Sequence, residues 1–144
     1  MKLEISQEII DAIIAHAKAI LPNECCGYLA GRQLEDFIAI EAIYKMTNTD
    51  NKPDHFTMDP KEQFAAMKDA RSKGLSLFVV YHSHPETPAR PSEEDLRLLV
   101  DPNMVYVIIS MMDLTSPSIK AFQIKNKEAT ELSIKIKQGK AAKL

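Results

Sequence analysis

The segment Leu75-Ser76-Leu77-Phe78-Val79-Val80-Tyr81-His82-Ser83-His84-Pro85-Glu86-Thr87-Pro88-Ala89-Arg90-Pro91-Ser92-Glu93-Glu94-Asp95 passes from an apolar run through three prolines into a cluster of acids. Leu75 to His82 reads as a buried central strand, since a short apolar run rich in β-branched and aromatic residues follows Gly74 and stops before Pro85. Ser83 to Pro91 is a loop stiffened by Pro85, Pro88 and Pro91. Ser92 then opens a helix holding Leu96, Leu98, Leu99 and Val100. Side chains of a strand alternate between its two faces, so His82 and His84 project from the same face.

Upstream, Ser6 is a plausible N-cap for a helix carrying Ile9, Ile10, Ile13, Ile14, Ala17 and Leu21, and Pro22 ends it. Cys25 to Ala30 is a short buried strand that stops at Gly31. Phe37 to Tyr44 is a second strand, its expected hairpin partner. Thr47 to Pro53 is polar and turn-rich. Phe56-Thr57-Met58 reads as a brief strand, and Asp59-Pro60 opens a helix with Asp at the N-cap and Pro at N1, running to Gly74. Downstream, Met104 to Met111 is a buried strand, while Ile119 to Ile124 and Leu132 to Ile136 alternate as strands do. Met104, Met111 and Met112 read as core filler. Helices and strands alternate early and strands dominate the end, which favours an α/β (α+β) domain with a mixed sheet.

The chain has 144 residues, 45% hydrophobic and 26% charged, with a formal net charge of −2. This suits one soluble domain, and residues 1–137 form it, with 138–144 as a flexible basic tail. The charge gives no case for nucleic acid or an anionic membrane as partner. No apolar stretch reaches the roughly 18 to 20 residues of a membrane span. Met1-Lys2-Leu3-Glu4 lacks the apolar core of a signal peptide, so a cytoplasmic location is expected. The adjacent cysteines Cys25 and Cys26 read as reduced thiols, with soft-metal binding or oxidant sensing as the alternative.

Two imidazoles on one face and a carboxylate returning at Asp95 can fill three corners of a tetrahedron. The fourth is left for water, as in catalytic zinc sites, and on this reading the protein is a hydrolase. Ser92-Glu93-Glu94-Asp95 also fits a capping box, which accounts for Ser92 and Asp95 without any metal. Capping and ligation are compatible for Ser92 but compete for the Asp95 carboxylate. A metallohydrolase further needs a base, and Glu24 is the candidate, at the junction between Pro22-Asn23 and Cys25-Cys26-Gly27. Taken alone, Glu24 reads better as a solvated loop acid. Ser92 can donate to an oxyanion, or merely cap its helix. His55 reads as an exposed or hydrogen-bonded histidine, His16 as boundary packing and Arg90 as a solvated loop charge.

Pro22-Asn23-Glu24-Cys25-Cys26-Gly27-Tyr28-Leu29-Ala30-Gly31, then His82-Ser83-His84-Pro85, then Ser92-Glu93-Glu94-Asp95 together resemble the JAMM (MPN+) metalloprotease family. Its pattern is a Glu, then His-x-His, seven residues, Ser, two residues, Asp, and this chain matches each element. The resemblance covers nearly the whole domain. It implies a single JAMM/MPN-like domain, a mixed curved sheet flanked by helices with cytidine-deaminase-like layering. It implies one catalytic Zn2+ held by His82, His84 and Asp95, with Glu24 as general base and Ser92 as oxyanion stabiliser.

The implied reaction is hydrolysis after the C-terminal Gly-Gly of a ubiquitin-like or sulfur-carrier protein. It either trims the carrier or releases a carrier-bound amino acid such as cysteine. An extended tail of this kind can lie beside a sheet edge. The chain lacks the long insertions of eukaryotic deubiquitinases, which argues against polyubiquitin chains as substrate. The alternative is a catalytically silent MPN-type scaffold or protein-interaction module, against which the complete motif argues. A nucleobase deaminase would need His-x-Glu with Pro-Cys-x-x-Cys, and neither is present. Oligomeric state and the identity of the carrier stay open.

Overall fold

A strand that the alternation does not announce begins the chain in the computed structural model, which describes residues 2–138. This strand, β1 (Lys2–Ser6), buries Leu3 and Ile5 completely. Helix α1 (Gln7–Ile20) follows directly, with the Ser6 hydroxyl accepting the Ile9 N–H at 3.1 Å as the expected cap. Strands β2 (Cys26–Gln33) and β3 (Phe37–Met46) form the expected antiparallel hairpin. Helix α2 (Pro60–Ser72) is capped by Asp59, and Gly74 beyond its end takes a left-handed φ of 71°. Then come β4 (Ser76–His84), α3 (Glu93–Leu98), β5 (Val105–Ser110), β6 (Ser118–Lys125) and β7 (Glu128–Lys137). The tail expected at 138–144 lies, from residue 139 on, outside the described residues.

The sheet is mixed, as expected, and it closes. Its order is β1-β3-β2-β4-β5-β6-β7, and β1 completes the circuit by pairing in parallel with both β3 and β7. The pair β4–β5 is also parallel and the remaining neighbours are antiparallel. Every strand is therefore paired on both sides over at least part of its length. No described strand is a fully free edge, but β1 pairs with β3 only at Phe37–Ala39, so the Ile40–Met46 part of β3 has no strand on its outer side.

The two-residue period of the strands separates two packed faces. Leu29, Val79, Tyr81, Val107 and Ile109 join Ile10, Ile13 and Ala17 of α1 in the main core. On the other face Cys26, Met46 and Met58 pack with Ala66 of α2, and Tyr28, Phe56 and Val80 lie against them. Gly27 sits where the chain has no room for a side chain, since a Cβ would come within 2.4 Å of the Tyr81 ring and 2.5 Å of the Tyr44 carbonyl oxygen.

Three local expectations are corrected. Phe56–Met58 is not a strand but an irregular segment tied by one bridge, Asn48 to Met58. Helix α3 stops at Leu98 rather than continuing to Val100, which is exposed. The break falls at Leu99, whose backbone leaves helical geometry at φ −88° and ψ 87°, while its N–H still donates to the Asp95 carbonyl. Of the three methionines, Met111 is buried but Met112 is 58% exposed, past the end of β5.

Candidate metal centre

The end of β4 delivers His82 and His84 to one face, and the first turn of α3 brings back Asp95. The His82 and His84 Nε2 atoms are 3.2 Å apart, and Asp95 Oδ2 lies 3.2 Å from the first and 3.1 Å from the second. All three residues are buried, and they are a group able to hold a metal ion. In a tetrahedral zinc site with bonds of about 2.0–2.1 Å, neighbouring donors are about 3.3–3.4 Å apart. The observed triangle is within a few tenths of an ångström of that spacing, and its two imidazoles and one carboxylate are donors that zinc accepts. The residues present therefore fit the ion that the resemblance implies.

The His84 ring is oriented from behind. Its Nδ1 lies 2.9 Å from the Pro88 carbonyl oxygen, so Nδ1–H donates there, and Nε2 would offer its lone pair to an ion bound at the shared centre. The stiff loop thus has a second role besides returning the chain. His82 Nδ1 is buried without a partner, and the ring is held instead by stacking on Phe56, with centroids 5.0 Å apart and planes at 29°.

Asp95 is placed for both roles that the sequence sets in competition. Ser92 N–H donates to Asp95 Oδ2 at 3.0 Å and the Ser92 hydroxyl accepts the Asp95 N–H at 3.0 Å, which is a complete capping box. The same Oδ2 faces the two imidazoles, because a carboxylate oxygen carries two lone pairs and can direct one each way. Burial pushes the Asp95 carboxyl up, but the hydrogen bonds to His82, His84 and Ser92 outweigh it and hold the group well below the usual carboxylate range.

Glu24 stands outside the three-residue group and is not a solvated loop acid. It is buried at 3% exposure, and its Oε1 has no hydrogen-bond partner. Burial first, then the negative charges of Asp95, Asp54 and Glu94, push its pKa up to about 9. A cation at the histidines would oppose that repulsion and favour the carboxylate. The Glu24 backbone is pinned on both sides, its N–H donating to the Lys52 carbonyl at 2.9 Å and its carbonyl accepting Asn48 Nδ2 at 3.0 Å.

Asn48 is the residue that sequence reasoning undervalues. Its Nδ2 also donates to the His55 carbonyl at 3.0 Å, and its Oδ1 accepts the N–H groups of Asp50 at 3.0 Å and Thr57 at 3.2 Å. One buried amide thereby joins the Glu24 segment to the Phe56 segment that stacks on His82. In the sequence it is one polar residue of a turn-rich stretch, marked only by the family resemblance running through its region.

The remaining residues divide. His55 pairs with Asp54 at 2.9 Å and lines a cleft of about 170 Å³ with Phe56, Glu94, Asp95, Leu98 and Leu99. His16 is more than boundary packing, since its Nδ1 lies 2.7 Å from the Tyr81 hydroxyl and ties α1 to β4. Arg90 is exposed, as expected. Cys25 and Cys26 are buried, and desolvation pushes their thiols up to about 11 and about 12, which removes the reactive thiolate.

A closed mixed sheet that carries a His-His-Asp group at a strand end, with a buried acid from the preceding helix–strand junction, defines a metal-site domain of the JAB/MPN type. The chain belongs to the family described as prokaryotic homologs of the JAB domain, whose pattern matches residues 6–125. It is 33% identical over 137 residues to the CysO-cysteine peptidase of Mycobacterium tuberculosis, covering 93% of this chain and 90% of that one. It is 31% identical over 114 residues to a desampylase of Haloferax volcanii, covering 76% and 81%. Among solved structures, a protein from Desulfitobacterium hafniense matches with a TM-score of 0.88 at 42% identity, over 95% of this chain and 94% of that one.

Among the described residues, no helix is long and apolar enough to cross a membrane.

Proposed function

We propose that the protein is a zinc-dependent peptidase or isopeptidase that hydrolyses the bond after the C-terminal Gly-Gly of a ubiquitin-like or sulfur-carrier protein. The observation that carries this reading is the convergence of His82 Nε2, His84 Nε2 and Asp95 Oδ2 to within 3.2 Å, together with the buried Glu24 carboxyl, which has no hydrogen-bond partner at Oε1 and feels the Asp95 charge. The relatives' names, a peptidase for CysO-cysteine and a desampylase, support hydrolysis as the reaction.

His82, His84 and Asp95 would hold the ion. Zinc bound there would supply Lewis-acid activation of water and of the scissile carbonyl. Glu24 takes a proton from the attacking water and returns it to the leaving amine, which requires an ionised carboxylate at the start and a desolvated site to make the transfer effective. Ser92 stabilises the oxyanion. Its capping bond uses the oxygen as acceptor, which leaves the hydroxyl proton of this exposed residue available to donate. The narrow cleft between Phe56 and Leu98–Leu99 suits a tail without side chains. That tail would lie along these loop and helix segments.

The test is mass spectrometry of zinc-loaded protein incubated with small ubiquitin-fold carriers that bear one or more residues after Gly-Gly. The expected product is the carrier ending in Gly-Gly. Intact carriers throughout, with zinc bound, would overturn the reading and leave the scaffold alternative.

A further inference from the structure

Ser83 stands between the two histidines, yet it faces away from them. The period of β4 sends Val79 and Tyr81 to the α1 side, and Ser83 follows that alternation toward Cys25, which lies in the same core. The register pairs Cys26 with His82, so Cys25 meets Ser83 one residue before β2 begins. In a regular antiparallel pair of this kind the two residues exchange two backbone bonds, N–H to carbonyl in each direction. Here Ser83 N–H donates to the Cys25 carbonyl at 3.1 Å, but Cys25 N–H donates to the Ser83 hydroxyl oxygen at 2.8 Å.

A hydroxyl therefore replaces a carbonyl in the last rung of the ladder. The acceptor now sits on a side chain, off the line of the strand, and the chain leaves the sheet at that point. Glu24, the next residue outward, bonds its N–H to Lys52 and its carbonyl to Asn48 rather than continuing along β4. Both groups of the rung are buried, so the bond is sheltered from water. The β4 strand thus bears the two proposed ligands on one face and, between them, a grip on the segment that bears the proposed base.

We propose that Ser83 is a positioning residue: its hydroxyl fixes where the chain departs from β4 and so holds the Glu24 carboxyl at a set distance from the metal-binding group. This rests on the reading of Glu24 as the base. A residue that merely completes a buried strand would affect stability. A positioning residue affects turnover at unchanged metal affinity.

Ser83→Thr and Ser83→Val isolate the effect, because the two introduced side chains share a shape and differ by the hydroxyl. Three quantities are measured: amide exchange at Cys25 in the zinc-free protein, zinc affinity, and kcat and KM on a ubiquitin-fold carrier ending Gly-Gly-Cys. Loss of one buried hydrogen bond should speed Cys25 exchange about tenfold or more in Ser83→Val relative to Ser83→Thr. The kcat of Ser83→Val should fall roughly 10- to 100-fold with KM little changed, as expected for misplacement on the ångström scale. Ser83→Thr should retain turnover, and both variants should bind zinc like the parent protein.

Equal kcat in the two variants, or a loss of kcat that follows loss of zinc, would overturn the proposal. If the zinc-loaded parent leaves the carrier intact, that result counts against the functional reading alone. Cys25 exchange then decides the clamp, equal rates in the two variants overturning it and faster exchange in Ser83→Val supporting it.

Discussion

Glu24→Gln should stabilise the metal-free protein, and the gain should grow with pH. The substitution keeps the shape of the side chain and removes its charge. The carboxyl has an ordinary pKa of 4.5, raised to about 9 in the fold by burial and by Asp95, Asp54 and Glu94. Between those two values the native state holds a proton that the unfolded chain has released, so stability falls as pH rises. Each pH unit costs at most about 1.4 kcal/mol, which puts the ceiling at about 3 kcal/mol between pH 4.5 and pH 7. Water entry and local opening reduce the measured value, so about 1–3 kcal/mol is expected. Urea denaturation followed by circular dichroism, on chelator-treated protein from pH 4.5 to pH 9, gives the answer. The parent curve should slope downward relative to the variant, and the two should converge near pH 4.5. Parallel curves, with equal stability at pH 8, would refute the argument that Glu24 is a buried, unpaired acid.

Other perturbations address other links. With zinc present, Glu24→Gln should lower turnover by roughly 10²–10⁴-fold while the metal content stays at one equivalent by elemental analysis. His84→Ala should abolish zinc binding in a calorimetric titration, because it removes one of three donors and the ring held by Pro88. Asn48→Ala removes a side chain that makes four hydrogen bonds, and should cost about 2–4 kcal/mol in denaturant unfolding. Gly27→Ala should destabilise by at least about 1–3 kcal/mol in the same assay, since its Cβ would collide with the Tyr81 ring and the Tyr44 carbonyl.

Much of the site is local in the chain and therefore legible from it. His-x-His on an apolar strand determines which face carries the imidazoles, and Ser-x-x-Asp determines a helix start, whatever lies around them. Glu24 is legible only through the joint pattern, since nothing in its own neighbourhood separates a buried acid from a solvated one. The double use of Asp95 Oδ2 is not legible, because it depends on where two lone pairs point once α3 is docked. Ser83 and Asn48 escape for a different reason. Ser83 bonds a residue 58 positions away and Asn48 reaches Glu24 across 24, and no periodicity encodes such pairings. In the fold, the long amphipathic α1 and the apolar β4 declare themselves. Strand β1 offers only Leu3 and Ile5, too short an alternation to announce the strand that closes the sheet.

The most direct test of the account is a zinc-soaked crystal with diffraction recorded on either side of the zinc absorption edge. One anomalous peak is expected, about 2.0–2.2 Å from His82 Nε2, His84 Nε2 and Asp95 Oδ2 together, with the Glu24 carboxyl beside it and not bonded to it. A peak elsewhere, or no peak among these three atoms at saturating zinc, would contradict it.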